Sequence, residues 1–163
     1  MMSSIFRRAF STVNPTISAH LREFIEKRTN QVCFDNVFTR KWKLVSAPED
    51  QGKFVVELKV DEQLANANKI LHGGLIASLV DGVSTMALVN TQLKKPGVTL
   101  NLNVTYIKAV KLNESVLIEG RVMKCGSKIA FLEADLYLKD KDGSCELKKE
   151  NLVATGSHTK YIG

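Results

Sequence analysis

The sequence contains few cysteines, and nothing in their spacing would pair them. Cys33, Cys125 and Cys145 are odd in number and far apart, and no C-x-x-C pair is present. Small extracellular domains usually carry an even set of cysteines, and structural zinc sites carry them in close pairs. The sequence therefore indicates neither a disulfide framework nor a zinc site, and it favours a reducing compartment. We expect neither a metal ion nor another cofactor.

Acidic residues are absent from the start of the chain, which carries serines, apolar residues, Arg7 and Arg8 before its first acid at position 23. This composition is typical of a mitochondrial transit peptide. The run R-A-F-S at residues 8–11 also resembles sites cut by matrix processing peptidases. We predict a transit segment over residues 1–14, one domain over residues 15–163 and a location in the mitochondrial matrix. The alternative is a disordered tail on a cytoplasmic protein.

Runs of basic residues with interleaved aromatic residues are also missing, although the formal net charge is +6. Surfaces that bind nucleic acid usually concentrate such residues. The excess of positive charge suits attraction of an anionic small molecule equally well. We therefore do not expect nucleic acid as a partner. The hydrophobic content of 44% is ordinary for one soluble domain.

Residues 73–92 lack every ionisable side chain except Asp81 and read as one long apolar helix. The segment approaches the length of a membrane span, but a central acid, two serines and a threonine argue against insertion. An acid in the middle of a mostly buried helix costs several kcal/mol unless it is paired, hydrated or used in function. Asp81 is therefore the best clue to function.

The helix has two unlike faces at about 100° per residue. One face is broad and apolar and is predicted to pack on a sheet; it holds Leu75, Ile76, Leu79, Val80, Val83, Met86 and Ala87. The other holds Gly74, Ala77, Ser78, Asp81, Ser84, Thr85 and Leu88. Because a solvated face normally carries long charged residues, we expect this one to border a groove, a ligand or a partner subunit. The alternative is that Ser84 and Thr85 bond back to the preceding turn and Asp81 anchors a loop.

The start of the helix is rich in glycine. Gly73 and Gly74 leave room for a ligand to approach backbone N–H groups at the positive end of the helix dipole. Such a group can polarise a carbonyl and stabilise an oxyanion. Gly73 and Asp81 lie about 12 Å apart along the axis, so one helix cannot easily aim both at the same carbonyl carbon. Two antiparallel helices from different subunits could, which predicts at least a dimer.

The remaining pattern predicts a short amphipathic helix that starts at residues 14–16, followed by strands on both sides of the long helix. The predicted strands cover residues 37–47, 54–60, 98–105, 116–123, 129–138 and 152–160, with a polar insertion at residues 140–151. Hairpin-type connections predict a mostly antiparallel sheet. We therefore expect an α+β fold in which the long helix lies against that sheet.

Three segments carry a resemblance to a known family: LHGGLIASLVDGVSTMALV, PGVTLNLNVTYIKAVKL and GSHTKYIG. Together they resemble the hotdog-fold thioesterases, specifically the PaaI-like group, over about residues 21–163. The resemblance implies a hotdog fold, in which a curved antiparallel sheet wraps around one long central helix. It also implies an acyl-CoA substrate, no metal or redox cofactor, and homodimers that pair into homotetramers.

The resemblance also implies roles for individual residues. The backbone N–H of Gly73 would polarise the thioester carbonyl, with Asn66 as its polar companion. Asp81 would activate or orient the attacking water, and Thr99 stands where a relative has serine. The implied substrate-binding residues are His72, Tyr106, Lys108, Lys111, Lys124, Gly126, Ser127 and Lys128. Lysine suits the phosphates of coenzyme A, whereas His72 mainly shapes the turn before the helix and His158 is interpreted as structural.

Three functions remain open on the sequence. The first is hydrolysis of a medium- or long-chain acyl-CoA, with Asp81 as general base or as nucleophile. The second is a non-catalytic acyl-CoA-binding or assembly subunit of the same fold. The third is a hydratase or dehydratase acting on enoyl or hydroxyacyl thioesters, which ordinarily needs a histidine and an acid poised together.

Overall fold

The computed structural model describes residues 17–30 and 32–163; the predicted transit segment lies outside these residues. The first helix of the described residues, α1 (Ala19–Thr29), covers the predicted amphipathic helix as far as the structure describes it. Ser18 is its N-cap, with an extended ψ of 144° and a side chain that accepts a hydrogen bond from the N–H of Leu21. Residues 14–16, where the helix was predicted to start, also lie outside the described residues.

A short helix, α2 (Asn36–Thr39), replaces the first part of the strand predicted over residues 37–47, so that prediction was wrong there. Phe38 and Trp42 are both buried, and their ring centroids lie 5.8 Å apart. Trp42 follows α2 after a turn in which its N–H donates to the Thr39 carbonyl at 3.3 Å, and this turn lets both rings enter the core together. Only the end of the predicted segment forms a strand.

Six antiparallel strands form one sheet. They are β1 (Lys43–Ser46), β2 (Lys53–Lys59), β3 (Val98–Tyr106), β4 (Ser115–Cys125), β5 (Ile129–Leu138) and β6 (Leu152–Tyr161). Their order across the sheet is β1-β2-β4-β5-β6-β3. The predicted hairpin of the first two strands and the antiparallel sheet are confirmed. Within the described residues, β3 pairs with β6 alone and forms one edge of the sheet.

The long helix, α3 (Gly73–Val89), lies across the sheet and packs against β2, β4, β5 and β6. It ends three residues before the predicted end because Asn90 caps it; the Asn90 side-chain amide donates to the carbonyls of Pro48 and Lys53 at 2.8 and 3.0 Å. At Gly120 in β4, an added Cβ atom would lie 2.5 Å from the Val83 carbonyl oxygen. The helix backbone therefore rests directly on the strand.

The predicted α+β hotdog fold is confirmed, since one long helix is enclosed by a curved antiparallel sheet. The polar insertion at residues 140–151 is held at its base by Asp140, whose carboxylate accepts hydrogen bonds from Lys148 and Asn151, each at 2.7 Å. The three cysteines are free and exposed. In the described part of the chain, no helix is both long enough and apolar enough to cross a bilayer.

Candidate active site

Asp81 lies in an open cleft between α3 and the segment that leads into β3. Its side chain is 47% exposed. The cleft has a volume of about 280 Å³ and is lined by Arg28, Phe34, Asp35, Ser78, Asp81, Gly82, Thr85, Pro96, Gly97, Thr99 and Lys160. The cleft thus brings two of the predicted catalytic residues, Asp81 and Thr99, to one place.

The helix face predicted to border a groove is narrower than expected. Ser84, Thr85 and Leu88 were assigned to it, but all three are buried within the chain. Strand β6 covers the two hydroxyl residues with polar side chains of its own. The part of this face that remains open runs from Gly74 to Asp81.

Lys160 of β6 is the cation that faces Asp81 from the interior of the protein. Its side chain is 5% exposed, and its Nζ lies 3.7 Å from Asp81 Oδ1. The same ammonium donates a hydrogen bond of 2.7 Å to Thr85 Oγ1, and the Thr85 hydroxyl donates to Asp81 Oδ1 at 3.4 Å. Asp81 is therefore neither unpaired nor fully buried: one oxygen meets an ammonium and a hydroxyl.

His158, also on β6, joins two hydroxyl groups across the back of the cleft. Its Nδ1 lies 2.7 Å from Ser84 Oγ, and its Nε2 lies 2.9 Å from Thr99 Oγ1. Burial and the charge of Lys160 lower the pKa of His158 to about 4, although Asp81 opposes this. A neutral imidazole donates from one nitrogen and accepts at the other, which satisfies both hydroxyls. The 3.6 Å approach of Nε2 to Asp81 is therefore not an ion pair.

The sequence interpretation missed Lys160 and treated His158 as structural. Both residues occupy alternate positions of β6, on the side that faces α3, and both are buried. A strand with polar residues at its inward positions needs polar partners on the facing element. Because β6 was correctly predicted as a strand, this alternation could have indicated that His158 and Lys160 face the interior, although not which residues they contact.

The start of α3 holds a second group of predicted residues. The Nδ1 of His72 accepts a hydrogen bond of 3.0 Å from the N–H of Gly74, so His72 is the helix N-cap. The N–H of Gly73 makes no hydrogen bond within the described residues. Tyr106 anchors the other side of this backbone, since its hydroxyl donates to the Gly73 carbonyl at 3.1 Å. An unused donor thus stands at the positive end of the helix.

Asn66 shapes the loop that precedes this helix start. Its Oδ1 accepts hydrogen bonds from the N–H groups of Asn68 at 2.9 Å and Ile70 at 3.4 Å. Its backbone N–H also donates to the Ile70 carbonyl at 2.8 Å. Because the side-chain oxygen of Asn66 is engaged in the turn, its side-chain NH2 is the group that can donate to a ligand.

The other predicted substrate-binding residues occupy two exposed segments. Lys108 and Lys111 follow the end of β3. The second segment, which contains Lys124, Gly126, Ser127 and Lys128, includes the end of β4 and the turn to β5, closed by a 2.9 Å hydrogen bond between the Gly126 N–H and the Ile129 carbonyl. Both segments present ammonium groups to solvent.

One chain does not bring the two groups of predicted catalytic residues together. The residues that line the cleft around Asp81 and Thr99 do not include Gly73 or Asn66. Within residues 17–30 and 32–163, no three His, Cys, Asp or Glu side chains cluster as metal ligands would. The chemistry available in the cleft itself is that of a carboxylate beside a hydroxyl, with an ammonium behind them.

Most of the chain is similar to known thioesterases. The Thioesterase superfamily model matches residues 68–145. Human acyl-coenzyme A thioesterase 13 is 38% identical over 148 residues, which make up 91% of this chain and 98% of the human protein. The similarity therefore extends well beyond the segment that the family model matches.

Solved structures agree in fold. The crystal structure of zebrafish thioesterase superfamily member 2 has a TM-score of 0.75 and 38% identity, covering 88% of this chain and 96% of the zebrafish chain. A hypothetical thioesterase from Streptococcus pneumoniae with coenzyme A has a TM-score of 0.62 and 25% identity, covering 74% and 86% of the two chains. The architecture is that of a hotdog fold, and the similarity to acyl-coenzyme A thioesterase 13 identifies the protein as a thioester hydrolase. The chain belongs to the thioesterase superfamily.

Proposed function

We propose that this protein hydrolyses acyl-coenzyme A thioesters with medium or long acyl chains, releasing a free acid and coenzyme A. The carboxylate of Asp81 carries the proposal, because it stands half-exposed in a cleft with the Thr99 hydroxyl. The similarity to human acyl-coenzyme A thioesterase 13 supports the substrate class. The coenzyme A in the Streptococcus pneumoniae structure supports it as well.

Asp81 is the general base of the proposed reaction. Its carboxylate takes a proton from water as the water oxygen attacks the thioester carbonyl carbon. The Thr99 hydroxyl, which can donate and accept, orients that water. The N–H of Gly73, with the amide of Asn66, stabilises the charge that develops on the carbonyl oxygen. The C–S bond then breaks, and coenzyme A leaves as a thiolate that takes the proton from Asp81, which regenerates the base.

Two subunits would bring these groups to one carbonyl carbon. Gly73 and Asp81 are about 12 Å apart along α3. The free edge of β3 exposes Val98 and Leu100, and an unpaired strand edge is suited to antiparallel pairing with a second copy. We therefore propose a homodimer in which Gly73 of one chain faces Asp81 of the other, with homotetramers built from such dimers.

The coenzyme A end of the substrate is proposed to lie over the two exposed lysine-bearing segments. Lys108 and Lys111 follow the strand whose last residue, Tyr106, contacts the start of α3. Lys124 and Lys128 flank the turn between β4 and β5. Ammonium groups in these positions can form charge-assisted hydrogen bonds with phosphates.

Asp81→Asn tests the function directly, because asparagine keeps the size of the side chain and removes the base. We expect kcat for acyl-CoA hydrolysis to fall about 10²- to 10⁴-fold, as for loss of a general base. Release of free thiol from acyl-CoAs of increasing chain length is the measurement. Asp142→Asn, in the exposed insertion, is the matched control and keeps wild-type turnover.

The alternatives give different results in the same assay. Tight binding of acyl-CoA by the wild type without thiol release would mark a binding or assembly subunit. A change in enoyl absorbance without thiol release would mark a hydratase or dehydratase. Full hydrolysis by Asp81→Asn would overturn the role of Asp81.

A further inference from the structure

Lys160 is an unusual residue for the inner side of a strand. Its side chain is 5% exposed, and the ammonium lies under the cleft rather than in solvent. Burial of a lysine is costly unless the charge is compensated. Its position therefore requires a partner, and the partner indicates its role.

The compensation comes from α3. Lys160 Nζ donates to Thr85 Oγ1 at 2.7 Å and lies 3.7 Å from Asp81 Oδ1. Thr85 and Asp81 are four residues apart on one helix, so they lie on the same side of it, and the Thr85 hydroxyl donates to Asp81 Oδ1 at 3.4 Å. Both donors therefore converge on one oxygen of the carboxylate.

Asp81 is the carboxylate that compensates the charge of Lys160, because the other groups nearby are neutral or paired with each other. His158, two residues away on β6, is neutral because burial lowers its pKa to about 4. Arg28 of α1 and Asp35 line the same cleft, where they pair with each other at 3.7 Å. Among the ion pairs of the described residues, Lys160 has Asp81 as its carboxylate partner.

We propose that Lys160 is a positioning residue for catalysis: with Thr85 it holds Asp81 Oδ1, so that Oδ2 is turned to the attacking water of the proposed reaction. This inference rests on the proposed thioesterase function. It assigns the two carboxylate oxygens different tasks, one structural and one chemical. Fixed orientation of a base matters because a small displacement of a catalytic group lowers the rate strongly.

The charge of Lys160 gives the inference a pH signature. Burial lowers the pKa of the Lys160 ammonium and Arg28 lowers it further, whereas Asp81 raises it. As pH rises, Lys160 therefore loses its proton at a lower pH than an ordinary lysine does. The kcat of the wild type should fall over the pH range in which this proton is lost. Lys160→Met should lower kcat about tenfold or more, leave KM within about twofold, and remove this alkaline fall.

Three further variants complete the experiment. Lys160→Arg keeps its charge at high pH, so it should lack the alkaline fall while retaining more activity than Lys160→Met. Thr85→Val keeps the buried lysine but removes the bridging hydroxyl, and it should lower kcat without changing KM. Lys59→Met, on an exposed position of β2, is the matched control and keeps the wild-type profile.

Each outcome decides the inference. Wild-type kcat in Lys160→Met, or an alkaline fall that persists in it, would overturn the role of Lys160. If Lys160→Met does not fold, unchanged kcat in Thr85→Val overturns it instead. Because Asp81→Asn is assayed in parallel, loss of activity in that variant alone would leave the thioesterase function standing while the role of Lys160 fails. A wild type without hydrolysis would overturn both.

Discussion

His158 connects the chemistry of the cleft to the stability of the protein. The imidazole is buried, and both of its nitrogens are engaged with hydroxyl groups, Ser84 on the helix and Thr99 on β3. It therefore ties three elements together at the point where the proposed water would bind. A buried neutral histidine of this kind makes the free energy of unfolding depend on pH, because the imidazole binds a proton more readily in the unfolded chain than in the folded one.

We predict that acid destabilises the protein through His158. Its pKa is about 4 in the folded protein against an ordinary value of 6.5, so its contribution is complete above pH 6.5 and is lost as pH falls toward 4. The corresponding loss in unfolding free energy is about 3 kcal/mol. Urea unfolding of wild type and His158→Gln across this range measures it, and the difference between them should shrink as pH falls.

His20→Gln is the control for this measurement, since His20 bonds a carbonyl at the surface, that of Lys94. It should follow the wild type across the same pH range. Parallel curves for wild type and His158→Gln would show that the imidazole does not carry the acid sensitivity.

The sequence predicted roles for Asp81 and Gly73 because their signals are local. A single acid in an apolar stretch and a pair of glycines at a helix start can be seen without knowing the fold. Lys160 could not be assigned in this way, because its partner Thr85 is 75 residues away in sequence. Its role appears only when β6 is placed against α3.

At the scale of elements, the contact between α3 and the sheet depends on glycine in the strands. An added Cβ at Gly120 would lie 2.5 Å from the backbone oxygen of Val83, and one at Gly156 would lie 2.5 Å from Val80 Cγ1. A backbone oxygen cannot rotate away as a side chain can. The helix and β4 would have to separate to admit a methyl group.

We predict that Gly120→Ala lowers the free energy of unfolding by about 1–3 kcal/mol, as overpacking of a tight core does. Gly82→Ala is a matched substitution, and we expect it to raise the free energy of unfolding. Its Cβ would lie at an ordinary 3.5 Å from the Trp42 ring, and alanine favours a helix interior over glycine by about 1 kcal/mol. Urea unfolding at one fixed protein concentration compares the two variants, and equal changes would contradict the close contact at Gly120.

The elements that the sequence predicted well share a regular period. β2, β3, β5 and β6 alternate or carry β-branched residues, and α3 has an uninterrupted apolar face. The first part of residues 37–47 was predicted wrongly because Val37, Phe38 and Trp42 suit a strand by composition. Burial of both Phe38 and Trp42 in the core favours a short helix followed by a turn over a strand in this segment.

At the scale of the whole molecule, the proposed active site belongs to a pair of chains. Each chain would contribute a base to one site and an N–H donor to the other. Mutations in the two groups should therefore complement each other when the chains are mixed. The sequence predicted this division through the distance along one helix, and it predicted that the face of α3 containing Asp81 would supply the contact between the copies.

We predict that hybrids of Asp81→Asn chains with Asn66→Ala chains recover activity. In such a hybrid, one of the two sites has an intact Asp81 from one chain and an intact Asn66 from the other, so turnover should return to as much as about half the wild-type value per dimer if the intact site works independently. Mixed chains carrying different affinity tags are purified in two steps and assayed for thiol release. Homodimers of each variant are the controls, and no recovery in confirmed hybrids would place both groups within one chain.

The edge strand β3 also has a consequence for the newly made protein. Its nine residues, Val98–Tyr106, contain no charge and no proline. Proteins that stay monomeric commonly use such residues to keep strand edges from joining other chains. A lone copy of this protein therefore carries a template for aggregation, and the proposed pairing with a second copy would protect that edge as well as complete the active site.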